Sequence, residues 1–418
     1  MKNTILVQIA AYRDPQLVPT VLDLIAKAQF PENLKISIAW QHSADEKIDE
    51  LWSLPNVHII DIDHTASAGV CWARSLLQKT YTNEKYTLAL DSHHRFAQNW
   101  DSTCIKMIED LQAAGHKKPL LTSYIPSFDP ANDPQGRVNE PWKMNFDRFI
   151  PEGAIFFIPA TIHNHQALSL PIPARFLSAH FIFTLGKMCK QVPYDPNYYF
   201  HGEEINMAVR AYTHGYDLFH PHRVVAWHEY TRKGRPKQWD DDKIWGERNI
   251  KSHQRNRQLF KMDNEPLTIK FGKYGFGKVR TLADYEQYAG ISFKHRAVLK
   301  ETLEYVDPPC PVYSSKETFE DNLCKVFKHC IDIQYSQVPE KDYEFWCVAF
   351  KDKNGKDVFR KDADKHEIAR MMNDPDKYCK IWREFQFTEI PTSWIVWPFS
   401  TSKGWCPAIT GDLKNVVS

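Results

Sequence analysis

Asp91 and His93 follow the apolar run Leu88-Ala89-Leu90 and are separated by one residue, Ser92. Side chains alternate along a strand, so if the extension continues through Ser92 the carboxylate and the imidazole point the same way. An oxygen and a nitrogen ligand so placed could bind a divalent ion such as manganese or magnesium. The ion would hold a diphosphate and neutralise the charge of a leaving group. This is the logic of the D-x-D motif of nucleotide-sugar transferases, with His as the second ligand. The tripeptide alone reads more readily as a turn Asp beside a surface His, so its weight depends on companions. One is His228, just after Val225-Ala226-Trp227. A lone His is more often structural, and His228 becomes a third metal ligand only in combination with the other two.

Other stretches fit the same chemistry. Ala10-Ala11-Tyr12-Arg13-Asp14 follows the first apolar run, where backbone and polar groups would grip a uridine. Ser67-Ala68-Gly69 feeds a helix that carries Arg74. A small-residue loop at a helix N-terminus suits a phosphate or ribose, and Arg74 could reach a diphosphate. The expected donor-binding set is therefore Ala11, Tyr12, Arg13, Ser67, Gly69, Arg74, Asp91, Ser92 and Arg232. Glu203 and Glu204 follow Gly202 and could assist catalysis or hold sugar hydroxyls. Acids in the first turn of a helix also simply oppose its dipole. The basic stretch from Tyr230 to Trp239 could close over a diphosphate and exclude water, or be a solvated loop.

Elements that would position these residues alternate along the chain. Strands are expected at Ile5–Ala11, Leu34–Trp40, Val57–Ile62, Tyr86–Leu90 and Pro119–Ser123, with helices at Pro15–Gln29, Ala68–Lys79 and Asp101–Ala114. This order predicts a mainly parallel α/β sheet, in which ligands sit at the carboxyl ends of the strands. Residues 124–175 read as a long functional loop region with a short strand at Ala154–Ile158. Further strands are expected at Ala179–Phe183 and Leu218–Ala226, with a helix near Glu203–His214. Beyond about residue 300 the pattern turns to short strands: Tyr343–Phe350, an Asn354-Gly355 turn, Val358-Phe359, Glu384–Glu389 and Ser393–Pro398. The tail's Trp346, Trp382, Trp394, Trp397 and Trp405 are read as core rather than as sugar platforms.

Composition narrows the class. The chain has 418 residues, which at roughly 150 per domain implies two or three domains. Its 53 Lys and Arg against 52 Asp and Glu leave a formal net charge of +1, which argues against a nucleic-acid coat. No apolar run is long enough to span a membrane. The N-terminus runs straight into a strand, leaving no room for a signal peptide. There are nine cysteines, an odd number, without a C-x-x-C, and no N-x-S/T sequon. These features point to a cytoplasmic chain with reduced thiols.

Taken in order, several stretches resemble one family: Ile9–Asp14, Ala68–Arg74, Leu90–Phe96 with Trp100, Leu120–Pro126, Ala174–His180, Phe200–Glu204, Trp227–Tyr230 and Tyr274–Tyr285. Together they are similar to glycosyltransferase family 60, which includes the Skp1 hydroxyproline GlcNAc-transferases. The resemblance implies a GT-A (Rossmann-like) nucleotide-sugar domain, a UDP-sugar donor (UDP-GlcNAc), a divalent metal and retention of the anomeric configuration. It implies metal ligands at Asp91, His93 and His228. A front-face reaction would need no enzyme nucleophile, so Glu203 and Glu204 would then only orient donor or acceptor. The chain departs from the family pattern at His94 and at Ser127–Pro130, as a different acceptor would require.

The expected organisation is a transferase domain at 1–265, a connecting segment at 266–300 and a β-rich accessory domain at 301–418. The expected partners are a UDP-sugar and an acceptor protein or glycan, without membrane or nucleic acid. A competing reading is a glycan- or protein-binding module that keeps the fold without turnover, against which the intact Asp91, His93 and His228 set speaks. A nuclease or phosphoesterase would need more carboxylates near Asp91 than the sequence offers.

Overall fold

The run Ile5–Tyr12 forms strand β1, and Ile5 to Ile9 are all buried. Continuous burial is the mark of a central strand covered on both faces. The computed structural model describes residues 3–150, 152–231, 234–262, 267–373, 377–387 and 390–413. After β1 come α1 (Leu17–Lys27), β2 (Leu34–His42), β3 (Val57–Asp63), α2 (Val70–Gln78), β4 (Tyr86–Asp91) and β5 (His94–Phe96). They are followed by α3 (Trp100–Ala113), β6 (Pro119–Thr122), β7 (Trp142–Phe149), β8 (Ile155–Thr161), β9 (Ile172–Pro173) and β10 (Phe181–Leu185). The site is completed by α4 (Glu203–Thr213), β11 (Asp217–His220), β12 (Ala226–His228) and α5 (Trp245–Phe260).

The main sheet has the order β3-β2-β1-β4-β10-β6-β11-β9. β1 is parallel to β2 and β4, β2 to β3, and β6 to β11. β10 is antiparallel to both β4 and β6. This is the expected α/β class, a parallel-rich sheet, with a separate β-rich region. Leu17, Val21 and Leu24 of α1 pack into the core formed by β1, β2 and β4. The register pairs Ala10 with Asp91, so the carboxyl ends of β1 and β4 lie side by side.

Two expectations change here. β4 stops at Asp91, and Ser92 is a bend rather than a continuation of the strand. The single strand expected over Leu218–Ala226 is two. β11 ends at His220, Pro221 offers no N–H to a ladder, and the chain leaves the main sheet. β12 then pairs antiparallel with β5, setting His228 opposite His94. Thr20 of α1 fastens the bend. Its hydroxyl lies 2.9 Å from the Ser92 carbonyl and 3.1 Å from that of His94, and accepts the His94 N–H at 2.9 Å.

Cα packing divides the chain into two units, Met1–Lys294 with Glu301–Tyr313, and His295–Lys300 with Ser314–Ser418. In the second, Tyr343–Lys351 pairs antiparallel with Asp357–Arg360 through the expected turn, where Gly355 takes φ +78°. Among the elements that went unforeseen are the strand Leu323–Gln334 and the helix Lys365–Met371. The strand expected at Glu384–Glu389 is instead Tyr378–Phe387, with Cys379, Ile381, Arg383 and Phe385 turned inward. Thr388 and Glu389 lie outside the described residues. Trp346 is core, but Trp382, Trp397 and Trp405 are exposed, so the reading of all five tail tryptophans as core does not hold. Among the described residues, no helix is long and apolar enough to cross a membrane.

Thr20→Val keeps the volume of the side chain but strands the buried His94 N–H. It should cost about 1–3 kcal/mol, read as a lower urea midpoint. An unchanged midpoint would show that Thr20 does not hold the bend.

Candidate functional site

Asp91 sits at the end of β4, His93 two residues on in the bend, and His228 at the end of β12. Their ligand atoms lie within 4.8 Å of one another. Asp91 Oδ2 is 3.5 Å from His228 Nε2 and 3.7 Å from His93 Nε2. Both ring nitrogens of His228 are buried without a hydrogen-bond partner. Burial drives its pKa well below the ordinary imidazole value, which leaves a neutral ring with a free lone pair. Burial alone would raise the Asp91 pKa. His228, Arg74 and His93 outweigh it and hold this carboxyl well below the usual range. An ionised carboxylate and two imidazoles suit a divalent transition ion.

Arg74 of α2 connects this cluster to α4. Its Nη2 donates to Asp91 Oδ1 and its Nη1 to Glu203 Oε1, each at 2.7 Å. The guanidinium is only 5% exposed, and both terminal nitrogens are engaged by protein carboxylates. Cys71, one turn earlier, donates its thiol proton to Glu203 Oε2 at 2.6 Å. Burial and the Glu203 charge keep that thiol protonated. Burial raises the Glu203 pKa, against the pull of Arg74. Glu203 is thus a support for Arg74.

Glu204 faces the other way. Its Oε1 accepts the Ala179 N–H at 3.0 Å and its Oε2 the Tyr124 hydroxyl at 3.2 Å. Burial, with the Glu203 charge adding to it, pushes its pKa up to about 7. Tyr124 stacks on His180, which stacks on His228 at 4.2 Å between ring centroids. The Tyr230 ring packs edge-on against His228, and its hydroxyl donates to the Ile125 carbonyl at 2.7 Å. Tyr124, His180 and Tyr230 were not singled out from sequence as site residues. His180 stood at the end of the Ala174–His180 stretch, but nothing local marks it as a neighbour of His228.

At the end of β1, Ala11 is fully buried and its carbonyl accepts from Gln41 Nε2 at 3.2 Å. Tyr12 Oη and Arg13 Nη1 both donate to Asp241 Oδ2, at 2.7 and 3.0 Å. Arg13 adopts φ +46°, and this left-handed turn sends the next residue, Asp14, inward. Asp14 accepts from the Ser92 hydroxyl at 2.7 Å, lies 2.7 Å from His93 Nδ1 and takes Arg235 Nη1 at 2.6 Å. Ser92 is therefore buried and engaged within the protein. Ser67 is tied to Gln41 at 2.5 Å, to Gln238 at 2.6 Å and, through its carbonyl, to Arg248 at 3.1 Å. Gly69 precedes α2 with φ +118°, where a Cβ would stand 2.7 Å from the Tyr199 carbonyl oxygen. The segment 234–241 thus lies over the ends of β1 and α2. Arg232 is outside the described residues. Asp14 and Arg235 are further site residues that sequence reading left unassigned, although both lie in stretches it marked.

Arg74→Met leaves Glu203 and Asp91 without their shared cation and should destabilise the fold by about 3–5 kcal/mol in urea denaturation. Adding Glu203→Gln should restore part of the loss, and strict additivity would contradict the coupling. Glu204 binds its proton more tightly in the fold than its ordinary value of 4.5 allows. Folding therefore takes up protons between about pH 4.5 and 7, and this contribution to stability is lost as pH rises through that window. Glu204→Gln should flatten that slope; an identical slope in both proteins would remove Glu204 as its source.

The family model Glycosyltransferase (GlcNAc) matches residues 4–54 and 49–295. No curated protein matches the chain. Among solved structures, GalNAc-T7 with UDP, GalNAc and Mn2+ is similar at 15% identity and a TM-score of 0.45, over 61% of this chain and 48% of that one. The chain thus spans about half the length of that protein. TarS 1-349 of S. aureus in complex with UDP-GlcNAc gives 13% identity and 0.35, over 62% and 76%. The mannosyltransferase PcManGT from Pyrobaculum calidifontis, with GDP-Man and Mn2+, gives 11% and 0.37, over 56% and 59%. Matched over well over half its length, the chain belongs to the family Glycosyltransferase (GlcNAc).

Proposed function

We propose that the protein is a metal-dependent, retaining transferase of the family 60 kind, moving GlcNAc from UDP-GlcNAc to a hydroxyl of an acceptor protein or glycan. The observation that carries this reading is the convergence of Asp91, His93 and His228 where β1 and β4 end. It is the place where an open α/β sheet binds its ligand. The unpartnered, buried nitrogens of His228 fit a metal ligand. Two imidazoles beside one carboxylate favour manganese over magnesium, which prefers oxygen ligands and its own waters. Bound there, the cation would supply charge neutralisation for the departing UDP.

The protein's own groups divide the remaining work. Ala11, Tyr12 and Arg13 at the end of β1, with Ser67 and Gly69 before α2, would frame the nucleotide. Arg74 acts on the donor through Asp91, which it keeps ionised and aimed. Ser92 acts through Asp14, and Arg232 joins Arg235 in the basic segment. The segment 234–241, held by Asp241 to Tyr12 and Arg13, would exclude water from the diphosphate. Of the two acids, Glu204 is the better placed to act on the acceptor hydroxyl. Its pKa of about 7 lets it hold or release a proton near neutrality. Glu203, tied to Arg74 and Cys71, orients. This division suits a front-face reaction without a covalent enzyme intermediate. The cytoplasm as compartment rests on the nine cysteines, all free thiols.

UDP release from a panel of UDP-sugars tests the reading. The expected result is manganese-dependent release, fastest with UDP-GlcNAc and abolished by chelator. Asp91→Asn and His228→Ala should each lower it on the order of 100-fold or more, the equivalent of several kcal/mol of lost charge stabilisation. Release that persists in chelator, or in Asp91→Asn, would overturn the metal assignment. A preference for another UDP-sugar would overturn the donor.

A further inference from the structure

Asp14 was given no role of its own in the site, yet its carboxylate is heavily engaged there. Its side chain is 0% exposed. Oδ1 accepts the Gln16 N–H at 2.9 Å. Oδ2 accepts from Ser92 Oγ at 2.7 Å and from Arg235 Nη1 at 2.6 Å, and lies 2.7 Å from His93 Nδ1. A carboxylate at that distance requires the proton to be on Nδ1. Arg235 runs alongside the ring, with Nη1 2.5 Å from Nδ1 and Nη2 3.1 Å from Nε2, so its contacts do not choose between the tautomers and the assignment rests on Asp14. Nε2 is the ring atom facing Asp91, 3.7 Å away.

We infer that Asp14 is a positioning residue for the metal site. It locks His93 in the Nδ1–H tautomer and turns the Nε2 lone pair toward Asp91 and His228. A carboxylate behind a ligating imidazole fixes the orientation of the ring and raises its basicity. The left-handed turn at Arg13 delivers this carboxylate, and Ser92, between the two proposed ligands, holds it in place. The D-x-H spacing therefore has a third component that comes from β1. This inference rests on the metal reading above.

The test uses the full chain. Manganese binding is measured by calorimetry, without nucleotide, in wild type and Asp14→Asn, with folding of both checked by circular dichroism. The amide keeps the shape of the side chain but offers Nδ1 a neutral and reversible partner. Affinity should fall 10–100-fold in the folded variant. Nitrogen-15 NMR of the histidine rings in metal-free wild type, with His93 assigned through His93→Gln, should show Nδ1 protonated and Nε2 bare. This readout decides the proposal even if Asp14→Asn does not fold. A proton on Nε2, or an unchanged manganese affinity in folded Asp14→Asn, overturns it. A wild type that binds no manganese, while its tautomer is as expected, overturns the metal reading and leaves the Asp14–His93 assignment standing.

Discussion

The site depends on one buried cation. Arg74 lies between Glu203 and Asp91 with almost no access to water, and it joins α2, α4 and β4 at a single point. Removing this cation would leave two carboxylates without their shared partner, which is why such triads are strongly coupled. Arg74 also sets the chemistry of Asp91. A carboxyl at that depth would rise in pKa without cations around it. With Arg74 beside it, Asp91 remains an anion able to face a metal. Cys71 and Glu203 serve the same end at one remove, since they hold the guanidinium in place.

Around this point the fold assembles imidazoles rather than further carboxylates. His93, His94, His180 and His228 lie in one cluster of rings, bounded by Tyr124 and Tyr230, with Tyr124, His180 and His228 stacked in turn and His93 and His94 set at an angle to His228. Burial keeps His94, His180 and His228 neutral. The cluster therefore adds ligand capacity without adding positive charge, as a site for a cation and a diphosphate requires. Glu204 stands at the far side of these rings, with burial pushing its pKa up to about 7.

Much of this was legible in the sequence because it is local. The alternation of apolar runs and helical spacing gave the sheet, and a carboxylate and imidazole two residues apart at the end of a strand marked the candidate metal site. What was not legible depends on where distant elements cross. Arg74 read as a diphosphate ligand; only the crossing of α2 and α4 shows that both its terminal nitrogens are taken by Glu203 and Asp91. Asp14 lay within a marked stretch, but its role depends on the left-handed turn at Arg13, for which a non-glycine residue gives no warning. His228 was expected just after a strand running from Leu218 to Ala226, but the chain leaves the main sheet at Pro221 and His228 ends a separate strand beside β5, near His93. In the tail, Trp346 lies in a strand buried continuously from Trp346 to Phe350, while Trp382, Trp397 and Trp405 are exposed.

The central claim is that Asp91, His93 and His228 make one cation site through which the donor is held. Calorimetric binding of UDP-GlcNAc to the wild-type chain and to His228→Ala, with and without manganese, tests it most directly. The account predicts that manganese strengthens donor binding to the wild type and has little effect on the variant. Equal donor affinity in the wild type with and without manganese would contradict it.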